Sequence, residues 1–263
     1  MPGERHGACT DDAILGGRLK LRQKRRGHRV GHDAVLLAAV AGAEAGEHAV
    51  DLGAGIGAAG LALAIRVPGI TVTLVEIDAE LAGLAEENAR RNGLADRVRA
   101  VALDVGGPAR TFAAAGLGPG TAARVLMNPP FNDPGRAQPS PDPGRWLAHA
   151  GEVPLAAWVR CAARLLQPRG SLALIWRADG LPEVLRALTP GFGAIAVLPV
   201  HPRPDAPAIR VLVRAEKGSG APLVLLPGLA LNDAAGRPSA AAEAVLRQGA
   251  GLPLVTKTHA PGA

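Results

Sequence analysis

From position 48 onward the chain repeats one unit: a short run of β-branched and aliphatic residues, a turn, then an Ala/Leu-rich stretch with helical spacing. Parallel strands need a crossover of a dozen or more residues between them, and helix-length segments supply it. The alternation therefore predicts βαβ units around a parallel sheet. Seven strands read at His48 to Leu52, Thr71 to Glu76, Val98 to Leu103, Arg124 to Met127, Ser171 to Trp176, Ala194 to Val200 and Ile209 to Ala215. Helices fill about residues 33–42, 57–66, 79–92, 154–167 and 180–188. The helix over 79–92 carries the clearest punctuation: Asp78 as cap, Glu80, Glu86 and Glu87 ahead of the cations, and Arg90, Arg91 and Gly93 at its end. His201 to Pro207, which joins the last two strands, is too short for a crossover helix, so these strands pair antiparallel.

The expected fold is α/β: a Rossmann-like, seven-stranded, mostly parallel sheet with an antiparallel C-terminal hairpin and a short N-terminal helical and basic extension. Residues 1–47 form the basic segment and a helix covering the ligand, 48–217 the central domain, and 218–263 an extension packed on it. That extension holds one apolar run, Leu223 to Leu226, and a helix from Ser239 to Gln248. Residues 132–153 are too rich in Pro and Gly for a helix or central strand and read as a long loop, either functional or disordered.

With 263 residues the chain can bury a continuous core without disulfides or metal. Hydrophobic residues at 48% against 20% charged exclude a disordered chain despite 34 glycines. Cys9 and Cys161 stand too far apart in sequence for a CxxC metal pair, and His28 and His32 lack partners at metal-ligand spacing, so no metal is expected. No signal-peptide pattern opens the sequence and no segment approaches the roughly 18 apolar residues of a membrane span. A cytoplasmic protein without a membrane partner is expected; its oligomeric state is not legible. Lys and Arg number 29 against 23 Asp and Glu, and the resulting +6 favours a polyanionic partner. Aromatic residues at 2%, with no tyrosine, exclude a multi-ring platform for stacking bases.

Three constellations carry chemistry. Asp51-Leu-Gly53-Ala-Gly55-Ile-Gly57-Ala-Ala-Gly60 runs from a strand end through a glycine turn into a helix. A backbone that turns tightly beside a ligand has no room for Cβ atoms, so this is a nucleotide-type cradle. It also matches the dinucleotide pattern GxGxxG, and by itself does not separate NAD from S-adenosylmethionine. Asp51 shifts the balance, because a carboxylate at the first strand tip suits a ligand bearing an ammonium group. Glu76 at the end of the second strand can accept two ribose hydroxyls, and Asp104 after the third can accept an adenine amine. The bland alternatives are a plain tight turn, a helix cap at Glu76 and a solvated turn at Asp104.

The third constellation, Leu126-Met127-Asn128-Pro129-Pro130-Phe131, decides among chemistries. Two prolines after an apolar strand end the ladder and hold the Asn128 side chain and the Pro129 carbonyl as a rigid acceptor pair. An exocyclic amine is a poor nucleophile because its lone pair is delocalised into the ring. If these two oxygens each accept one of its hydrogens, the lone pair is aimed at a sulfonium methyl, and alignment supplies much of the catalysis. Phe131 can stack on the substrate plane. Taken alone the motif could be a strand-ending turn with Phe131 in the core; after a glycine cradle and two acidic strand ends, catalysis is the better account.

In order and spacing these motifs resemble those of class I methyltransferases of the small-domain N6-adenine type. Nearly the whole chain is similar to the bacterial tRNA1(Val) adenine N6-methyltransferases, which modify the adenine beside the anticodon. The resemblance implies S-adenosylmethionine as cofactor, held by Asp51, Gly53, Gly55, Gly57, Glu76 and Asp104. It implies a target base held by Asn128, Pro129, Pro130 and Phe131, the last standing where many relatives have Tyr, and RNA, best tRNA, as partner. Gly27 to Leu37 is similar to the family segment leading into a helix over the cofactor, which adds Asp33 to the cofactor residues. Lys20, Arg22, Lys24, Arg25, Arg26 and Arg29 ahead of that helix, with Arg136 and Arg145 after the Asn-Pro-Pro-Phe motif, are the candidate RNA contacts; a solvated basic surface is the bland alternative. Other planar amines, guanine N2 or a protein glutamine amide, would suit the same chemistry. An NAD-binding oxidoreductase or an inactive nucleotide-binding module is the alternative from another class.

Overall fold

The computed structural model of the protein describes residues 9–25, 29–130 and 153–252. The first element corrects an expectation. The basic N-terminal segment is not only a lead into a helix but an antiparallel hairpin of β1 (Cys9–Ile14) and β2 (Leu19–Lys24). Leu19, Leu21 and Gln23 are buried and alternate with Lys20, Arg22 and Lys24, the period of two that a half-buried strand requires.

A helix α1 (His32–Val40) leads to β3 (His48–Leu52), α2 (Ala58–Arg66), β4 (Thr71–Glu76), α3 (Ala79–Arg91) and β5 (Val98–Ala102). Asp78 caps α3 as its position predicts, its Oδ1 accepting the amides of Glu80 at 2.8 Å and Leu81 at 3.3 Å. A one-and-a-half-turn helix α4 (Ala109–Ala114), absent from the sequence reading, buries Phe112 before β6 (Ala122–Met127). Beyond residue 152 follow α5 (Leu155–Leu165), β7 (Leu166–Arg177), α6 (Leu181–Leu188), β8 (Phe192–His201) and β9 (Arg210–Lys217).

The long strands run β8-β9-β7-β6-β3-β4-β5 across one sheet. Those from β7 to β5 are mutually parallel, and β9 lies antiparallel between β7 and β8. The C-terminal segment adds two short strands to the outer edge, β10 (Val224–Leu225) and β11 (Leu229–Ala230), each parallel to β8. It then returns over α1 through α7 (Ala240–Leu246), where Ser239 Oγ caps the helix and the Leu252 amide reaches the Ala39 carbonyl at 2.9 Å.

A parallel sheet buried on both faces needs strands that are apolar throughout. Val50 and Leu52 pack with Phe112, Trp158 and Leu165 on the face covered by α4, α5 and α6, while Ala49, Leu74 and Leu126 pack with Leu37, Leu61 and Ala85 on the face covered by α1, α2 and α3. Asn88 of α3, wholly buried, ties this second face together. Its Nδ2 donates to the carbonyls of Ile56 and Arg22 at 3.1 Å each, and its Oδ1 accepts the Arg22 amide at 2.7 Å. One side chain thus fastens the N-terminal hairpin to the glycine turn before α2. Among the described residues no helix is long and apolar enough to cross a membrane.

Candidate active site

Ligands of open parallel sheets bind outside the carboxyl ends of the strands. Asp51, Glu76 and Asn128 stand at or just past the ends of three neighbouring strands, β3, β4 and β6 respectively, with Asp104 after β5. Leu52 pairs with Met127 across β3 and β6, so the glycine turn and the Asn-Pro-Pro segment leave the sheet side by side.

The turn is held by backbone and carboxylate bonds. The amides of Gly53 and Ala54 donate to the Val75 carbonyl at 2.8 and 2.9 Å. Glu76, 5% exposed, accepts the Gly55 amide on Oε2 at 2.8 Å and the Asp78 amide on Oε1 at 3.0 Å. Gly53 and Gly55 adopt φ of 70° and 56°, the left-handed region that favours glycine. A Cβ on Gly53 would stand 2.7 Å from Cη2 of Trp158, whereas one on Gly55 would meet nothing within 4 Å. Gly55 is therefore the position where the backbone lies open to a ligand, and Gly57, at φ 88°, sits directly before α2.

Asp51 is 2% exposed and its Oδ2 accepts the Gly60 amide at 2.8 Å, so the carboxylate anchors the first turn of α2 from inside the sheet. Burial pushes its carboxyl up to about 7, against the lowering effect of the Gly60 bond and with a further rise from the negative charge of Glu76. A buried carboxylate in that state gains from a nearby cation. Asp104 is exposed, and its Oδ1 accepts the Gly106 amide at 2.8 Å.

Asn128 differs from these. Its Oδ1 is shielded from solvent and has no hydrogen-bond partner among the described residues. Pro129 behind it is buried and Pro130 exposed; Phe131 lies outside the described residues. An unbonded amide oxygen at a rigid strand end is an acceptor held ready for a donor that arrives with a ligand. Trp158, on the first turn of α5, has the same property with opposite sense: it is 4% exposed and its indole N–H has no partner among the described residues. The sequence reading did not single it out, since a lone Trp on an apolar helix face carries no signal in one dimension. Cys161, one turn further on, is a buried thiol pushed up to about 11 by desolvation, and so is a poor nucleophile.

Asp33, expected among the cofactor residues, is engaged elsewhere: its Oδ2 takes Arg210 Nε at 3.0 Å, tying the start of α1 to β9. The cationic segment is largely compensated. Arg22 pairs with Glu87 at 2.8 Å, Lys24 with Glu80 at 2.7 Å and Arg29 with Asp12 at 2.9 Å, while Arg25 Nε reaches the Cys9 carbonyl at 3.5 Å. Arg26, Arg136 and Arg145 lie outside the described residues.

A model of the methyltransferase small domain family matches residues 29–198, well over half of the chain. The chain belongs to this family. A tRNA1(Val) (adenine(37)-N6)-methyltransferase of Tolumonas auensis is 32% identical over 171 residues, covering 64% of this small-domain methyltransferase and 68% of that protein. A relative of the same description from Porphyromonas gingivalis is 34% identical over 161 residues, 59% of this chain and 61% of its own length. A crystal structure of a predicted O-methyltransferase from Agrobacterium tumefaciens, 29% identical, superposes with a TM-score of 0.71 over 84% of this chain and 98% of that one. Methyltransferases of this family and fold draw their methyl group from S-adenosylmethionine. The residues present fit such a cofactor: an open glycine at Gly55, an acidic strand end at Glu76, an exposed acidic turn at Asp104 and a buried carboxylate at Asp51 below the turn.

Proposed function

We propose that this small-domain methyltransferase transfers a methyl group from S-adenosylmethionine to the exocyclic N6 of an adenine in tRNA. The observation that carries the reading is the shielded, unbonded Oδ1 of Asn128 beside the glycine turn. Asp51, Gly53, Gly55, Gly57, Glu76 and Asp104 bind the cofactor, whose sulfonium supplies an electrophilic methyl. Asn128 Oδ1 and the Pro129 carbonyl hold the two hydrogens of the target amine, Pro130 stiffens the pair and Phe131 stacks on the base. The names of the relatives from Tolumonas auensis and Porphyromonas gingivalis support adenine N6 of tRNA as the target. In the division we propose, residues 48–217 do the chemistry, with 1–47 and 218–263 as flanks. Asp33, in this account, orients α1 through Arg210 rather than touching ligand. Arg25, Arg26, Arg136 and Arg145 are the candidate phosphate contacts, with Arg22, Lys24 and Arg29 set back by their carboxylate partners. The enzyme works in the cytoplasm on RNA.

The structural likeness to a predicted O-methyltransferase favours a second reading, transfer to a hydroxyl. Both acceptors lose one proton overall, but a hydroxyl must give it up as it is methylated and so calls for a base. An amine attacks through its lone pair and sheds its surplus proton to water after the methyl has transferred, so an acceptor pair that only orients it suffices. One experiment separates the readings. Purified protein is incubated with methyl-labelled cofactor and tRNA from a strain lacking the gene, and the digested nucleosides are resolved. N6-methyladenosine is expected; 2′-O-methyl nucleosides, N2-methylguanosine or label on protein would overturn the assignment.

A further inference from the structure

The side-chain groups gathered at the strand ends are mostly acceptors: the carboxylates of Asp51, Glu76 and Asp104 and the amide oxygen of Asn128. An adenosine moiety has donors that suit them, its ribose hydroxyls and its amine, but its ring nitrogens are acceptors and require a donor. The indole N–H of Trp158 is buried without a partner among the described residues, in a residue 4% exposed. An unpaired N–H in that setting is destabilising, and native folds rarely leave one without a use.

Trp158 packs on one of the two loops that the cofactor reading assigns to adenosine, and its helix starts beside the other. Its benzo edge lies 2.7 and 2.9 Å from the Cβ position of Gly53. Its helix α5 begins beside the Asp104 turn, where Val153 Cγ2 is 3.5 Å from the Cβ position of Gly106. Helical side chains lean toward the N-terminus of their helix, and the N-terminus of α5 is at the ligand end of the sheet. We infer that Trp158 is a further cofactor-binding residue, its indole N–H donating to a ring nitrogen of the cofactor adenine. This rests on the methyltransferase reading. It gives Gly53 a second reason to be glycine, since a side chain there would displace the indole that completes the adenine contact.

The test is calorimetry with S-adenosylhomocysteine and its 1-deaza, 3-deaza and 7-deaza analogues, on the full chain and on Trp158→Phe, which keeps a ring and deletes the N–H. Expected is about a tenfold loss of S-adenosylhomocysteine affinity in W158F. One deaza analogue should bind the natural protein about as weakly as S-adenosylhomocysteine binds W158F, with no further loss when the two changes are combined. If W158F does not fold, incorporation of benzothienylalanine at position 158 removes the N–H while retaining the shape of the indole. Unchanged cofactor affinity in the N–H-deleted protein overturns the inference, and so does a defect confined to the KM for RNA, which would place the donor on the target base. Failure of the natural protein to bind S-adenosylhomocysteine would instead remove the methyltransferase reading beneath it.

Discussion

The Gly55 amide donates to Glu76 Oε2 across 2.8 Å, so the acidic end of β4 holds the open point of the glycine turn before any ligand is present. The second oxygen of the same carboxylate takes the Asp78 amide at 3.0 Å, joining this turn to the cap of α3. Each oxygen keeps a lone pair, so the brace and a ribose contact are compatible roles.

Glu76→Ala should therefore do two things at once. Leaving two part-buried amides without their acceptor is expected to lower stability by about 1–3 kcal/mol, and the affinity for S-adenosylhomocysteine should drop more than tenfold. Urea unfolding and calorimetry measure the two effects. Wild-type stability in the variant would show that the carboxylate is not a brace.

Asp51 makes stability depend on pH in an unusual direction. Its folded carboxyl titrates near 7 against an ordinary value of 3.8, so between about pH 4 and 7 the folded chain keeps a proton that the unfolded chain has released. Its contribution therefore falls as pH rises through this window and levels off above it. Urea midpoints from pH 4.5 to 8 should decline less steeply in Asp51→Asn than in the natural protein. An ammonium group bound near Asp51 draws the carboxyl back toward its ordinary range. Binding of S-adenosylhomocysteine near pH 6.5 should accordingly release protons, detected as buffer-dependent heats, and D51N should abolish that release.

Asn128→Ala separates catalysis from binding. The oxygen it deletes has no hydrogen-bond partner among the described residues, so stability should change little. Turnover is expected to fall by about two orders of magnitude or more, with affinity for S-adenosylhomocysteine nearly intact. Parallel loss of cofactor binding in calorimetry would mean that the residue faces the cofactor instead.

Gly53→Ala meets both a left-handed backbone and an occupied space, with φ at 70° and the Trp158 ring 2.7 Å from the new methyl. A destabilisation of about 2–4 kcal/mol is expected from strain and overpacking together. Pairing it with Trp158→Leu should restore part of that loss in thermal unfolding, because only the steric share is relieved. An additive double variant would argue that the indole is not the obstacle.

Several elements were legible in one dimension because their signals are local. Asp78 caps α3 with its own side chain, Ser239 caps α7, and the run from Asp51 to Gly60 gives strand, turn and helix from alternation and glycine alone. The N-terminal hairpin was equally local in principle, since Leu19, Leu21 and Gln23 alternate with cations, but the density of charge hid the period of two. Helix α4 escaped because six residues with one buried Phe112 carry too little periodicity to stand out.

By itself the sequence determined the βαβ order, the tight glycine turn and the stiff acceptor at Asn128, each set by neighbours within a few residues along the chain. Only the tertiary structure decided which polar groups are already spent. Asp33 is bound to Arg210, 177 residues away, and Arg22 to Glu87, 65 residues away, whereas Asn128 Oδ1 and Trp158 Nε1 have no hydrogen-bond partner among the described residues. Such pairings depend on which elements the sheet order brings together, and no local pattern of residue types encodes that.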